Sequence, residues 1–192
     1  MPRLQSAYRA GHSTETALLK VTSDILTALD SGDLASLALL DLSAAFDTVD
    51  HNILLRRLRT SYGIGGVALD WFRSYLTGRF QYVRHAGHHS ATRAMLYGVP
   101  QGSVLGPILF VLYTADLAAV IEQHGLLPHL YADDTQIVGT CRPTDTAFAS
   151  SPASPMSPVG CRQTVCNGTR RGADRLPEFE MAATKTNFER NE

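Results

Sequence analysis

Cysteine is scarce: Cys141, Cys161 and Cys166 make an odd number, and no histidine lies near the last two. Reduced thiols are expected, rather than a disulfide framework or a zinc site. Long apolar runs are lacking as well. The longest, residues 104–113, is broken by Gly106 and Pro107, so no segment is expected to span a membrane. The first residues, Met1 to Ser6, carry no apolar signal core, and an intracellular protein is expected. Positive charge is not in general excess either. The net charge is −1, which argues against a uniformly basic nucleic-acid binder. Internal repeats are absent. What remains is a chain of 192 residues, 44% of them apolar, enough for one medium domain with a real core.

Acidic residues run short in one place. From His51 to Tyr97 seven arginines stand against a single acid, Asp70, with Tyr62, Trp71, Phe72, Tyr75, Phe80, Tyr82 and Tyr97 interleaved. Basic residues among aromatics suit a phosphate backbone and unstacked bases. A solvated helix face accounts for such arginines equally well.

Local signals divide the chain into elements. Ser13-Thr14-Glu15 reads as a helix start, a hydroxyl cap followed by an acid in the first turn. Leu18, Val21, Ile25 and Leu29 continue at helical spacing to Gly32. The residues ahead of it, Gln5 to Thr14, read as a polar loop. Leu34 to Leu42 is a dense apolar run of strand length that carries Asp41 near its end. Asp50 caps a predicted helix through Ile53, Leu54, Leu58 and Tyr62, which Gly63 ends. A second helix is predicted from Val67 to Leu76, with Gly78 as its stop. Residues 80–83 and 95–97 read as a strand pair joined around Gly87 to Ser90. A glycine and proline loop, residues 98–107, leads into an apolar helix predicted from Pro107 to Ile121. Beyond Cys141 the sequence turns small, polar and proline-rich, and residues 143–192 are expected to be a disordered tail.

Two acidic features carry the chemistry. Asp133 and Asp134 sit between apolar flanks, Leu126-Leu127 before and Ile137-Val138 after, as at a hairpin turn. An Asp-rich turn is an ordinary feature, because Asp bonds its own backbone there. Asp41 lies 92 residues before Asp133, at the end of its own strand. It reads either as a helix-capping or turn aspartate, or as a group at the edge of a sheet where ligands bind. If the two strands are neighbours, three carboxylates converge. Their mutual repulsion then calls for cations, and all-oxygen donors suit Mg²⁺ or Mn²⁺. Two such ions could activate a hydroxyl and stabilise a leaving pyrophosphate.

Asp41-Leu42-Ser43-Ala44-Ala45-Phe46-Asp47, then Gly98 to Pro107, then Tyr131-Ala132-Asp133-Asp134 resemble the successive palm motifs of reverse transcriptases. The wording is closest to the non-LTR (LINE-type) retrotransposon branch, whose preceding finger motif Ala7-Tyr8-Arg9-Ala10-Gly11-His12-Ser13-Thr14 resembles. The resemblance covers about residues 5–140 and implies an α+β fold, a polymerase palm with an antiparallel sheet and packed helices plus partial fingers. Residues 1–33 would be the finger segment and 34–142 the palm with inserted finger helices. The activity implied is RNA-directed DNA polymerase, with two Mg²⁺ or Mn²⁺ ions held by Asp41, Asp133 and Asp134. RNA template, DNA primer and deoxynucleoside triphosphates are the implied partners. Phe46 matches the bulky gate against a ribose 2′-hydroxyl. Gln101 and Gly102 match the loop against the incoming nucleotide, and Arg9 matches a finger position near template.

The sequence also departs from the family pattern. The basic finger motif that grips the triphosphate has no counterpart ahead of Gln5, and no thumb, endonuclease or zinc-knuckle region is recognisable. Only Ala183-Thr184-Lys185-Thr186 echoes the family's later Asn-x-x-Lys-Thr signature, which would make Lys185 the proton-donating lysine. The alternatives are a catalytically inert retrotransposon remnant that binds nucleic acid weakly, and an RNA-templated RNA polymerase. Phe46 argues against the second, because related viral RNA polymerases place a small acid at that position.

Overall fold

The structure, a computed structural model, describes residues 3–42, 44–142 and, as backbone, the strand 181–188. In chain order the elements are α1 (Thr14–Asp30), β1 (Leu34–Leu42), α2 (His51–Thr60), α3 (Gly66–Leu76), β2 (Arg79–Gln81), β3 (Arg84–His85), β4 (His88–His89), β5 (Arg93–Met95), α4 (Leu105–Tyr113), α5 (Asp116–Glu122), β6 (Leu127–Tyr131), β7 (Asp134–Cys141) and β8 (Met181–Phe188). They fall into two compact units, one of residues 1–43 and 114–192 and the other of residues 44–113. The α+β class is observed, with antiparallel pairing throughout the named sheets.

In the first unit, β6, β7, β1 and β8 pair in that order. β1 and β7 run antiparallel with Leu37 opposite Val138, Leu39 opposite Gln136 and Leu40 opposite Thr135. From Ala38 onward β1 alternates with period two: Ala38, Leu40 and Leu42 are buried, Leu39 and Asp41 exposed. Ala35 and Leu37 share the parity of Asp41. At that end of the sheet, α1 packs Val21, Ile25 and Ala28 against Ala35 and Val138, with Leu37 joining the cluster. The helix forms where the sequence predicts it. Ser13 and Thr16 exchange side-chain and backbone hydrogen bonds in a capping box, and Gly32, at φ +82°, follows its end. α1 therefore covers the start of this sheet face and leaves the carboxylate end uncovered by it.

One segment within the expected tail is a strand. Residues 181–188 form β8, pairing Met181 to Phe188 against Leu42 to Ala35. Without β8 that side of β1 would be a sheet edge with unpaired backbone groups, and the pairing satisfies them although only Thr184, Thr186 and Phe188 favour a strand. Residues 143–180 and 189–192 lie outside the described residues.

The second unit is built on three helices. Asp50 caps α2, its Oδ1 accepting from Asn52 N at 2.8 Å and Ile53 N at 2.9 Å. Ile53, Leu54, Leu55 and Leu58 of α2 are buried, as are Leu109, Phe110, Val111 and Tyr113 of α4. Burial pushes the Tyr113 phenol up to about 12. The strand pair expected at 80–83 and 95–97 is instead a longer ribbon: β2 with β5 at its base, and β3 with β4 at its tip. Ala86 and Gly87 turn the tip with φ of +47° and +80°, the doubly positive geometry of a tight hairpin.

The helix predicted from Pro107 to Ile121 is two helices, α4 and α5, separated by Thr114 and Ala115. Leu117 N donates to Thr114 O at 3.0 Å, a tight three-residue step, and Ala115 offers no capping side chain. Gly106 and Pro107 fall in the first turn of α4, where neither breaks a helix. By length and composition alone, Leu105–Glu122 is therefore apolar enough to cross a membrane, with mean hydropathy 1.7 over 18 residues. Half of that segment is buried in the protein, as core helices are.

Candidate functional site

The β1–β7 ladder sets the position of the carboxylates. One step beyond Leu40 and Thr135, the last partners of the ladder, lie Asp41 and Asp134, both exposed and sharing the parity of Leu37 and Val138. Asp133 is in the turn between β6 and β7. The Asp134 carboxyl is held above the usual range, first by partial burial, then by the charges of Asp133 and Asp41. Asp134 is thus close enough to both of the other acids to feel their charge. Among the described residues, no three His, Cys, Asp or Glu side chains are grouped to hold a metal ion. Without a cation between them, like charges oppose drawing these carboxylates together into one group. The donor chemistry itself fits a hard divalent cation: every candidate ligand is a carboxylate oxygen.

Two residues near this turn have no role in the sequence reading. Gln5 is 2% exposed, and both ends of its amide hold the turn. Its Oε1 accepts from Ala132 N at 3.1 Å and from Ala7 N at 2.9 Å, and its Nε2 donates to Ala132 O at 3.4 Å. Leu4 O and Ser6 N bond Leu130 on either side, so the N-terminal segment meets β6 in a single parallel bridge at Gln5. Ala132 needs this support, since its φ of +57° is a left-handed conformation costing about 1–2 kcal/mol. Gln5→Ala would orphan two backbone amides, and the expected loss of stability is about 1–3 kcal/mol for each, measured by denaturant unfolding. Tyr8, also at positive φ (57°), is the second. Its phenol is held above the ordinary value by burial, then by Asp133 and Tyr131. The positive φ of Tyr8, and that of Ala132, which Gln5 holds, could not be read from composition; only the glutamine's polarity amid Leu4 and Ala7 hinted at a buried role.

In the second unit, residues 46–49 and the 98–103 loop lie against each other. Val99 N donates to Phe46 O at 2.9 Å and Gly98 N to Val49 O at 2.8 Å. Gly98 is required there: its φ is +85°, and a Cβ would stand 3.0 Å from the Asp47 backbone. Its carbonyl accepts from Arg79 and lies 2.8 Å from His51 Nε2. Gln101 Nε2 donates to Asp47 Oδ1 at 2.8 Å, and Gly102 turns beside it at φ +74°. The Phe46 ring rests on Phe110, centroids 4.7 Å apart and tilted 40°. Phe46, Gln101 and Gly102 are thus gathered on one pair of loops.

The remaining candidates stand elsewhere. Arg9 Nη1 donates to Arg3 O at 2.9 Å on the surface. Lys185 is in β8 at the register position opposite Ala38.

A family model described as reverse transcriptase (RNA-dependent DNA polymerase) matches residues 1–146. The probable RNA-directed DNA polymerase from transposon BS of Drosophila melanogaster is 34% identical over 143 residues, 72% of this chain and 16% of the relative. That from transposon X-element of the same organism is 40% identical over 116 residues, 60% of this chain and 13% of the relative. The RNA-directed DNA polymerase from its mobile element jockey is 31% identical over 143 residues, 72% of this chain and 15% of the relative. The chain therefore spans about one sixth or less of the length of these relatives. Among solved structures, an apo telomerase from Candida tropicalis truncated from its C-terminal domain matches with a TM-score of 0.59 at 14% identity, covering 98% of this chain and 37% of that one. A telomerase from Candida albicans in complex with a fragment of telomeric RNA matches with a TM-score of 0.54 at 14% identity, covering 78% and 29%. At that identity the likeness is one of fold.

Proposed function

The chain belongs to the reverse transcriptase (RNA-dependent DNA polymerase) family, its non-LTR relatives included, and from that premise we propose that it carries the palm and partial fingers of an RNA-directed DNA polymerase. The observation that supports this most is the placing of the carboxylates along the β1–β7 ladder. The β1–β7 ladder sets Asp41 and Asp134 at facing strand ends, and the Asp134 carboxyl responds to both Asp133 and Asp41. The reaction is attack of a primer 3′-hydroxyl on the α-phosphate of a deoxynucleoside triphosphate, with pyrophosphate leaving, directed by an RNA template.

Asp41, Asp133 and Asp134 would hold two Mg²⁺ or Mn²⁺ ions, which when bound supply positive charge to the phosphates and acidify the attacking hydroxyl. The protein's own contribution is position. Gln5 fixes the turn that carries Asp133, through both Ala132 backbone groups. Phe46, backed by Phe110, presents a bulky ring that would exclude a ribose 2′-hydroxyl. Gln101, oriented by Asp47, and the open backbone at Gly102 would lie against the incoming nucleotide. Arg9 would meet the template, and Lys185 would donate a proton to pyrophosphate. Primer extension on an RNA template with Mg²⁺ and deoxynucleotides tests the reading, comparing the chain with Asp133→Asn. Template-directed product that disappears in the variant sustains it. Equal product from both, or none from either, sinks it for this chain.

A further inference from the structure

The ribbon of the second unit contains a register shift that opens a cavity. β2 and β5 pair Gln81 with Arg93, whereas β3 and β4 pair Arg84 with His89. Between those pairs one strand has two residues, Tyr82 and Val83, and the other has three, Ser90, Ala91 and Thr92. The extra residue makes a bulge, the device by which sheets re-aim side chains. Ser90 closes the tip side of it, its N donating to Val83 O and its Oγ accepting from Val83 N, both at 2.8 Å. Beside the bulge is an open cavity of about 320 Å³, lined by Gln81, Tyr82, Val83, Ser90, Ala91 and Arg93.

That lining combines three kinds of group: an aromatic ring, a side-chain amide and a guanidinium. An aromatic ring stacks on any base, an amide can bond a base edge, and a guanidinium pairs with phosphate. The surroundings agree in charge. Residues 71–115 contain no Asp or Glu, while Arg73, Arg79, Arg84 and Arg93 fall within them. They agree in exposure too, since every residue from Phe80 to Ala94 is exposed, with Phe80 at 66% and Tyr82 at 56%. A bare two-stranded ribbon that shows its aromatic side chains to water is marginal by itself and gains from a partner.

We propose that this bulge and its cavity are a binding site for single-stranded nucleic acid, with a base stacked on Tyr82, its edge read by Gln81, and the adjoining phosphates held by Arg93 and Arg84. The choice of ligand rests on the polymerase reading; the site rests on the ribbon alone. It gives Tyr82 and Arg93 of the arginine and aromatic stretch a definite place to act.

The test is fluorescence anisotropy of the full chain with a labelled 20-nucleotide oligouridine, its DNA counterpart and an RNA duplex, read without metal or nucleotide. Single strands are expected to bind, and the duplex, whose bases are stacked away, to bind more weakly. Tyr82→Ala should weaken single-strand binding at least about 5-fold, and Tyr82→Phe should restore it. Arg84→Ala with Arg93→Ala should lower the slope of log affinity against log salt by about 0.7 per arginine. All of these side chains are exposed, so unchanged melting temperatures will show the variants folded. The proposal is overturned if no single strand binds, if the duplex binds as well as the single strands, or if the ribbon variants bind like the parent. Failure of primer extension with this binding intact would count against the polymerase reading alone.

Discussion

Phe110→Ala is expected to destabilise the protein by about 3–5 kcal/mol, the range for emptying a fully buried aromatic site. Phe110 is 0% exposed on α4, and its ring lies 4.7 Å from that of Phe46. The lost terms are the transfer of a large ring from water, the dispersion contacts around it and the paired-ring geometry. Against a total stability of about 5–15 kcal/mol for a domain, this is a large fraction. For a chain of this size the melting temperature should fall by about 6–20 °C. Phe110→Leu retains most of the apolar volume and should cost less, but it removes the flat surface on which Phe46 rests. If Phe46 is the gate against a 2′-hydroxyl, the leucine variant should incorporate ribonucleotides more readily than the parent while remaining folded. A melting temperature within a degree of the parent's for Phe110→Ala would refute the core assignment. Unchanged sugar discrimination in the leucine variant would show that Phe46 needs no support from Phe110.

The contrast between what local signals reveal and what they miss follows from sequence distance. Ser13, Gly32 and Asp50 mark helix ends through hydrogen bonds or dihedrals within a few residues, so α1 and α2 stand where periodicity and capping place them. Asp41 and the Asp133-Asp134 pair are legible because each sits at the end of an apolar run. Their meeting depends on one antiparallel register, and a period-two burial pattern specifies that strongly. Gln5 could not be found this way: its partners, Ala132 N and O, are 127 residues away, and nothing near Gln5 announces them. β8 is likewise invisible to composition, because its pairing depends on the open side of β1. The ribbon's bulge is a difference of one residue between two strands, and a reading of alternation cannot see which strand carries it. The break between α4 and α5 escaped because the apolar pattern continues across Thr114 and Ala115.

Asp134→Asn is expected to move stability and activity in opposite directions. In the parent, burial and the charges of Asp133 and Asp41 raise the Asp134 pKa above its ordinary value. A carboxyl raised on folding binds its proton more tightly in the folded state. Its ionised form therefore opposes folding at neutral pH, and this opposition fades as pH falls through the raised pKa and is gone below the unfolded value near 4. The asparagine keeps the shape and removes the charge, so the metal-free variant should melt higher than the parent at pH 7. The gap should close as pH falls to about 3.5. His129, whose pKa burial depresses, has the opposite slope, since folding is opposed once it must be protonated below about 6.5. It is present in both proteins, so it cancels in their difference. Millimolar Mg²⁺ should then raise the parent's melting temperature more than the variant's, because only the parent keeps all three charges to be neutralised. Primer extension should fall the other way. Interactions of a few kcal/mol with phosphate charge are at stake, and about 4 kcal/mol corresponds to roughly a 10³-fold loss of rate. A variant that melts lower than the parent at pH 7 without metal, or that gains equally from Mg²⁺, would mean that the three carboxylates do not act as one cluster. The β1–β7 ladder would then have set them side by side for reasons of strand ending alone.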